Sequence, residues 1–269
     1  MTPEISVIVI TGASSGIGRA TALRLASTNT KLILVARRAD RLDAIKDEIE
    51  RRGSDATIVP GDVTVPNTME RAVTAALERF GRLDVLISNA GAGLFGTVDQ
   101  TTEQDLDRML ALNFKGVFFG VRAALPVMRR QGFGHLIVVA STAGRRGSPY
   151  VGAYCAAKFA VIGWTESLRT ELLGTGIHVS LVCPGATRTD FFSSAIRRTP
   201  HHEGLVGPVE EADTVAARLV RVIRHPQAEV IAQPVRRKLF LAANLLVPGL
   251  VDRLLLRIVG RQQSPTRPR

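Results

Sequence analysis

The sequence predicts an α/β fold, an open, doubly wound parallel sheet of about seven strands with helices on both faces. Three observations predict it. Short apolar runs of β-branched character alternate with amphipathic stretches along most of the 269 residues. Such alternation, joined by right-handed crossovers, gives a parallel sheet covered on both sides. The first run passes directly into a glycine-rich turn and then a helical pattern. Finally, the distinctive polar residues recur at the ends of the apolar runs, where ligands bind in sheets of this kind.

Taken in order, Ile5-Ser6-Val7-Ile8-Val9-Ile10 reads as a strand buried on both faces. Thr11-Gly12-Ala13-Ser14-Ser15-Gly16-Ile17-Gly18 forms the turn, and Arg19 to Ser27 the first helix. Further strands are expected over 31–36, 56–60, 84–88, 135–140, 177–182 and 229–232. Helices are expected over 40–52, 67–80, 102–130, 154–173 and 212–223. Thr101-Thr102-Glu103-Gln104 places a capping hydroxyl ahead of acidic and amide residues, a start for the longest of these. Residues 1–235 read as one domain, and 236–269 as a basic, apolar extension, helical and then disordered.

Composition bounds the function. At 45% hydrophobic the chain can bury one sizeable core. Two cysteines, Cys155 and Cys183, imply no disulfide framework, and Cys155 reads as a small packing residue. A first strand at Ile5 leaves no room for a signal peptide, so a cytoplasmic location is expected. The five histidines lack metal-ligand spacing, and no metal is expected; His201-His202 reads as solvated loop. The formal net charge of +11 invites an anionic partner, but its distribution is uneven. From Arg236 to Arg269 there are eight Lys or Arg against one acid, Asp252, so this stretch alone carries +7. The rest has no basic excess typical of a nucleic-acid domain and no such motif, so no nucleic acid is expected.

The chemistry centres on Tyr154 and Lys158, four residues apart and so on one helix face. A cation beside a phenol favours the phenolate and lets it trade a proton nearer neutral pH. Ser141, at the end of an apolar run, is a hydroxyl that can hold a substrate oxygen against that phenol. The strand–glycine turn–helix context marks a dinucleotide site, since glycines admit a pyrophosphate to the positive helix end. After the second strand, Ala36-Arg37-Arg38 stands where an acidic residue would bond free ribose hydroxyls. Two guanidinium groups suit a phosphate instead, and Ser14 can add a hydroxyl.

Together these residues resemble the short-chain dehydrogenase/reductase family, which has a Rossmann-type fold. The likeness runs through Gly12, Gly16 and Gly18, then Asp62-Val63, Ser88-Asn89-Ala90-Gly91 and Asn113. It continues through Ser141, Tyr154, Lys158, Pro184-Gly185 and Thr189. It covers residues 5–192 well and fades towards 233, and Ser88 stands where the family more often has a second asparagine. The resemblance implies hydride transfer between nicotinamide C4 and a carbonyl or alcohol carbon. Tyr154 would be the acid or base, Lys158 its tuner and a ribose contact, and Ser141 the polariser of the substrate oxygen. Asn113 would anchor a proton-relaying water; asparagine is a poor helix former, so an irregularity inside 102–130 is expected there. NADP(H) is the expected cofactor, with Arg37 at the position that reads the 2′-phosphate and Arg38 beside it. Gly12, Ser14, Ser15, Gly16, Ile17 and Gly18 would cradle phosphates, Asp62 and Val63 the adenine, and Asn89, Ala90 and Gly91 the ribose side. Pro184, Gly185, Thr187 and Thr189 would meet the carboxamide and phosphates.

The segment 187–208 would cover a small-molecule carbonyl or alcohol substrate. Phe191-Phe192, Ile196 and Leu205 there, with Leu94 and Phe95, suggest an apolar or amphipathic compound, although Arg197-Arg198 is mixed in. The family also implies a homodimer or homotetramer through 102–130 and 154–173, where Phe114, Val117, Phe118, Phe119 and Val121 exceed one core-facing stripe. In the tail, Pro248-Gly249 and the charges at 252, 253 and 257 break any membrane-spanning run, leaving two short helices ringed by Arg236, Arg237, Lys238, Arg261, Arg267 and Arg269. These suit peripheral contact with an anionic membrane, or closure over the substrate site or a partner subunit. A rival to the enzyme is a non-catalytic binding protein on the same scaffold, tethered by this basic segment.

Overall fold

A computed structural model describes residues 6–26, 29–199, 209–232 and 234–263, with the side chains of 234, 237, 238 and 258–263 outside the description. Ile5, Ser27, His201-His202, Leu205, Arg267 and Arg269, and the side chains of Arg237, Lys238 and Arg261, therefore lie outside the described residues. So do 264–269, the expected disordered tail.

Seven strands form one parallel sheet: β1 (Ser6–Thr11), β2 (Thr30–Ala36), β3 (Asp55–Pro60), β4 (Val85–Ser88), β6 (Gly134–Val139), β7 (Ile177–Cys183) and β11 (Glu229–Ile231). Their order across the sheet is β11-β7-β6-β4-β1-β2-β3, all pairs parallel. The direction of winding reverses between β1 and β4, which opens a crevice beyond their carboxyl ends.

Side chains of a strand alternate between faces, and the two cores follow that alternation. Ile8, Ile10, Leu32 and Leu34 point to one face. There α1 (Gly16–Leu25), α2 (Ala39–Arg51) and α7 (Ala212–Arg224) cover them with Ala22, Leu42, Ile49 and Leu219. Val7, Val9, Ile33 and Val35 point to the other, under α3 (Pro66–Phe80), α5 (Gly116–Gln131) and α6 (Gly152–Glu171). Their cover includes Met69, Val121 and Ile162.

Two expectations need correction. The first helix starts at Gly16 inside the glycine turn, not at Arg19, because Ser15 is already its extended N-cap. The stretch 102–130 is not one regular helix. α4 (Glu103–Leu110) is capped by Thr102, as expected, through a reciprocal bond with Asp105. It is followed by a π-turn at Ala111–Lys115 before α5 begins. Four short strands went unforeseen: β5 (Leu94–Phe95) pairs with β9 (Ile196–Arg197), and β8 (Thr187–Arg188) with β10 (Glu210–Glu211). Beyond β11, α8 (Pro234–Leu246) and α9 (Pro248–Gln263) form a hairpin broken at Pro248-Gly249.

Candidate active site

The carboxyl ends of β1, β4, β6 and β7 meet in a cleft of about 930 Å³. At its floor the glycine turn comes too close to its neighbours for any side chain. A Cβ at Gly18 would lie 2.3 Å from the Gly12 carbonyl oxygen, and one at Gly12 would lie 2.9 Å from Ala90 Cα. Gly12 and Gly16 also hold left-handed φ values of +66° and +53°. The Asn89 amide donates to the Thr11 carbonyl (2.9 Å), and the Thr11 hydroxyl accepts from the Asn89 and Ala90 backbone (2.9 and 3.0 Å). These bonds tie β1 to β4 at the crevice. Ser14, Ser15, Gly16 and Ile17 line the cleft, whereas Gly18 lies beneath the turn and does not.

The far end beside β2 carries Arg37 and Arg38. Arg37 is exposed and reaches Asp62 at 4.0 Å. Arg38 donates to the Ser14 hydroxyl at 3.2 Å. Asp62 accepts from the backbone and hydroxyl of Thr64, both at 2.9 Å, and Val63 is buried beside Gly116. All four residues line the cleft.

At the centre, α6 presents Tyr154 and, one turn on, Lys158. Ser141, two residues beyond the end of β6, lines the same cleft as Tyr154, and its hydroxyl accepts from the Ala143 backbone at 3.1 Å. Burial pushes the phenol above its ordinary value, while the Ser141 side chain pulls the other way. The expected lowering of Tyr154 is therefore not produced by the chain alone. The Lys158 ammonium sits 5.8 Å from the centre of the ring, over its face. Burial in turn pushes Lys158 down from 10.5 to about 8. Its Nζ donates to the Val139 carbonyl (3.2 Å), its one acceptor among the described residues.

Asn113 sits in the π-turn, the irregularity expected there, and is fully buried. Its amide nitrogen donates to the carbonyls of Ala92 (3.0 Å) and Met109 (3.1 Å), while Oδ1 is buried with no partner. Asn113 does not line the cleft. It stands behind Gly91, where an added Cβ would meet Oδ1 at 2.7 Å and Lys158 Nζ at 3.7 Å. Pro184, Gly185, Thr187 and Thr189, with Ala90 and Gly91, complete the wall.

The substrate side is more apolar. Phe191 packs edge-on to Tyr154 at 5.4 Å, and Phe192 stacks on Phe95 at 6.2 Å. Tyr150 adopts φ +65°, rare for a residue with a side chain, and its carbonyl accepts from Gly96 at 2.9 Å. Sequence reasoning missed two ion pairs here. Arg198 forms a two-pronged pair with buried Asp105 (2.9 and 2.8 Å), pinning β9 to α4. Arg146 pairs with Asp252 of α9. Arg236, Phe240 and Leu255 of the hairpin line the cleft, on the side of the use the sequence left open for the tail over the substrate site. Asp105 drew no notice in the sequence; its partner lies 93 residues away, and no local pattern signals it.

The site fits a dinucleotide. The turn leaves room for phosphates where no Cβ is tolerated, and the Lys158 ammonium retains donors for ribose hydroxyls. Among the described residues no group of three or more acidic, histidine or cysteine side chains is placed to hold a metal.

A sequence profile described as short chain dehydrogenase matches residues 6–199. The uncharacterized oxidoreductase YxnA of Bacillus subtilis is 36% identical over 269 positions, covering 97% of this chain and 74% of that protein. Levodione reductase of Leifsonia aquatica is 36% identical over 195 positions, covering 71% and 73%. Among solved structures, an alcohol dehydrogenase from the archaeon Thermococcus sibiricus, complexed with 5-hydroxy-NADP, superposes with a TM-score of 0.75. It is 31% identical, over 85% of this chain and 96% of that one.

Proposed function

The chain belongs to the short-chain dehydrogenase family and is an oxidoreductase of CH–OH and C=O groups; from that premise we propose that it uses NADP(H) on an apolar or amphipathic carbonyl or alcohol, with Tyr154 as acid and base. The observation that carries the proposal is the convergence of Ser141, Tyr154 and, one helical turn on, Lys158 in the cleft that the glycine turn floors. The bound nicotinamide, in reduced form, supplies the hydride. Ser141 holds and polarises the substrate oxygen, and Tyr154 gives it the proton that completes the alcohol; in oxidation Tyr154 takes it back. Lys158, buried and short of acceptors, binds ribose hydroxyls and brings positive charge to the phenol. That charge opposes the burial that raises Tyr154. Asn113 Oδ1, buried and unpartnered, accepts from a water that returns protons by way of Lys158.

Arg37 and Arg38 read the 2′-phosphate by charge-assisted hydrogen bonds, and the solved relative bound to 5-hydroxy-NADP supports that choice. The glycine turn, Asp62-Val63, Asn89 to Gly91, and Pro184, Gly185, Thr187 and Thr189 form the rest of the cofactor wall. We read residues 1–235 as the catalytic domain and 236–269 as an extension. We place the protein in the cytoplasm, with peripheral membrane contact through that extension. Pairing into a homodimer or homotetramer runs through the stretches 102–130 and 154–173. There Phe114 and Phe118 pack edge-on to Trp164 at 6.1 and 5.9 Å and stay half-buried. A monomeric mass by light scattering at micromolar concentration would refute the pairing.

The test of function is NADPH consumption across a panel of ketones and aldehydes, with NADPH binding followed separately by fluorescence. Turnover that survives Tyr154→Phe, or NADPH that does not bind, overturns the reading.

A further inference from the structure

We propose that the α8–α9 hairpin docks on an anionic lipid bilayer and passes a lipid-soluble, long-chain carbonyl compound directly into the cleft; this rests on the oxidoreductase reading above. The two uses that the sequence left open for the tail, covering the site and meeting a membrane, fall on different faces of one hairpin.

The inner face closes the cleft. Val251 and Leu255 are only 4% and 7% exposed. Arg236, Phe240 and Leu255 line the same space as Ser141 and Tyr154. Asp252 pairs with Arg146, in the loop between Ser141 and Tyr154, so α9 is fastened to the active-site loop.

The outer face is apolar and open. Among the described residues, eight of the fifteen large apolar side chains that stand exposed fall within 235–256. Leu245, Leu246 and Leu250, at 82%, 81% and 65% exposure, gather around the Pro248-Gly249 break. Single exposed apolar residues need no explanation, but a cluster does.

Charge selects the occupant. Residues 236–269 carry +7, and their one acid, Asp252, is already paired to Arg146. Exposed Arg253 and Arg257 stand one turn apart beside the leucines. Two copies of this chain meeting face to face would oppose like charge, whereas anionic headgroups complement it. Helices of 13 and 16 residues are too short to span the roughly 20 residues of a bilayer core, so the hairpin would lie in the interface. A hairpin seated there puts the cleft wall of Phe240 and Leu255 next to the acyl region. The path to Tyr154 is then lined by Phe191, Phe192 and Phe95.

The test uses the full-length protein with vesicles of phosphatidylcholine, with and without phosphatidylglycerol. We expect co-sedimentation with the anionic vesicles at low salt and release at about 1 M salt, where screening is nearly complete. Leu245→Ser, Leu246→Ser and Leu250→Ser combined should weaken vesicle binding at least about tenfold, given three exposed apolar groups removed. Turnover of a short water-soluble ketone should be unchanged in that variant. A long-chain ketone carried in anionic vesicles should show a several-fold higher kcat/KM with the unaltered protein than with the triple variant. Protein that stays in the supernatant, or equal turnover of the vesicle-borne ketone by both proteins, overturns the proposal. So does a triple variant whose mass halves in light scattering without lipid, which would make this face a contact between copies. Turnover of the short ketone without vesicle binding overturns the delivery alone. Vesicle binding with no carbonyl turned over overturns the delivery together with the reading it rests on.

Discussion

At the glycine turn the chain is held by backbone contacts that leave no space for a Cβ; on the substrate side it is held by ion pairs between segments 93 and 106 residues apart. The first end is fixed largely by backbone atoms, which every residue shares, so the choice of glycine and a few hydrogen bonds set its shape. The second depends on which long polar side chains meet, and α4, β9 and α9 all contribute. A site built this way can keep one cofactor while its substrate wall changes.

Four outcomes would sharpen or break that contrast. The largest belongs to the centre, where the ends meet. Tyr154→Phe keeps the ring against Phe191 but removes the proton, and turnover should fall at least about a hundredfold. NADPH affinity should hold, because the glycine turn and Arg37 are untouched; loss of binding would mean the two ends are not separable. Next, the unaltered protein should bind NADPH more tightly than NADH by about 1–3 kcal/mol, the range for hydrogen bonds to charged groups. Arg37→Ala should erode most of that gap, and titration with both cofactors measures it. Equal dissociation constants before substitution would show that the phosphate is not read.

The third outcome concerns pH. Burial sets Lys158 near 8, so in the protein alone the ammonium is charged below that pH and neutral above it. Reduction needs the charged form beside Tyr154, so kcat/KM should fall about tenfold per pH unit above about pH 8. A flat profile to pH 10 would remove Lys158 from the tuning role. The smallest effect lies at the substrate end. Arg198→Ala leaves buried Asp105 with only its Thr102 partners, but Arg198 is itself exposed to solvent, which keeps the cost in stability small. Calorimetry should show a slightly lowered Tm. KM for substrate should rise while cofactor affinity stays unchanged; a change in NADPH binding would contradict the division.

The same contrast explains what could be read from the sequence. Strands such as 31–36 and 177–182 are legible because two-faced burial demands continuous apolar runs, and the glycine turn because close approach demands glycine. Tyr154 and Lys158 are legible because helical spacing puts them on one face. What escaped notice depends on distant partners. The strands β5 and β9 are two residues each and exist only by pairing with each other. Arg146 and Asp252 look like ordinary surface charges until the hairpin folds back. The upward push on Tyr154 in the chain alone escaped notice because its largest cause is burial, which sequence does not display.

The π-turn at Ala111–Lys115 has one more consequence, for phase. A π-turn accommodates one extra residue, and each residue advances an α-helix by about 100°. The turn therefore acts as a gearshift between two rotational settings. Before it, Met109 joins a small cluster with Leu94, Ala153 and Ala157 at the cleft, while after it Val117 and Val121 pack into the core beneath the sheet. Deleting one residue between 111 and 115 would restore a regular helix at the cost of that offset. Either α4 would turn away from the cleft or α5 from the sheet.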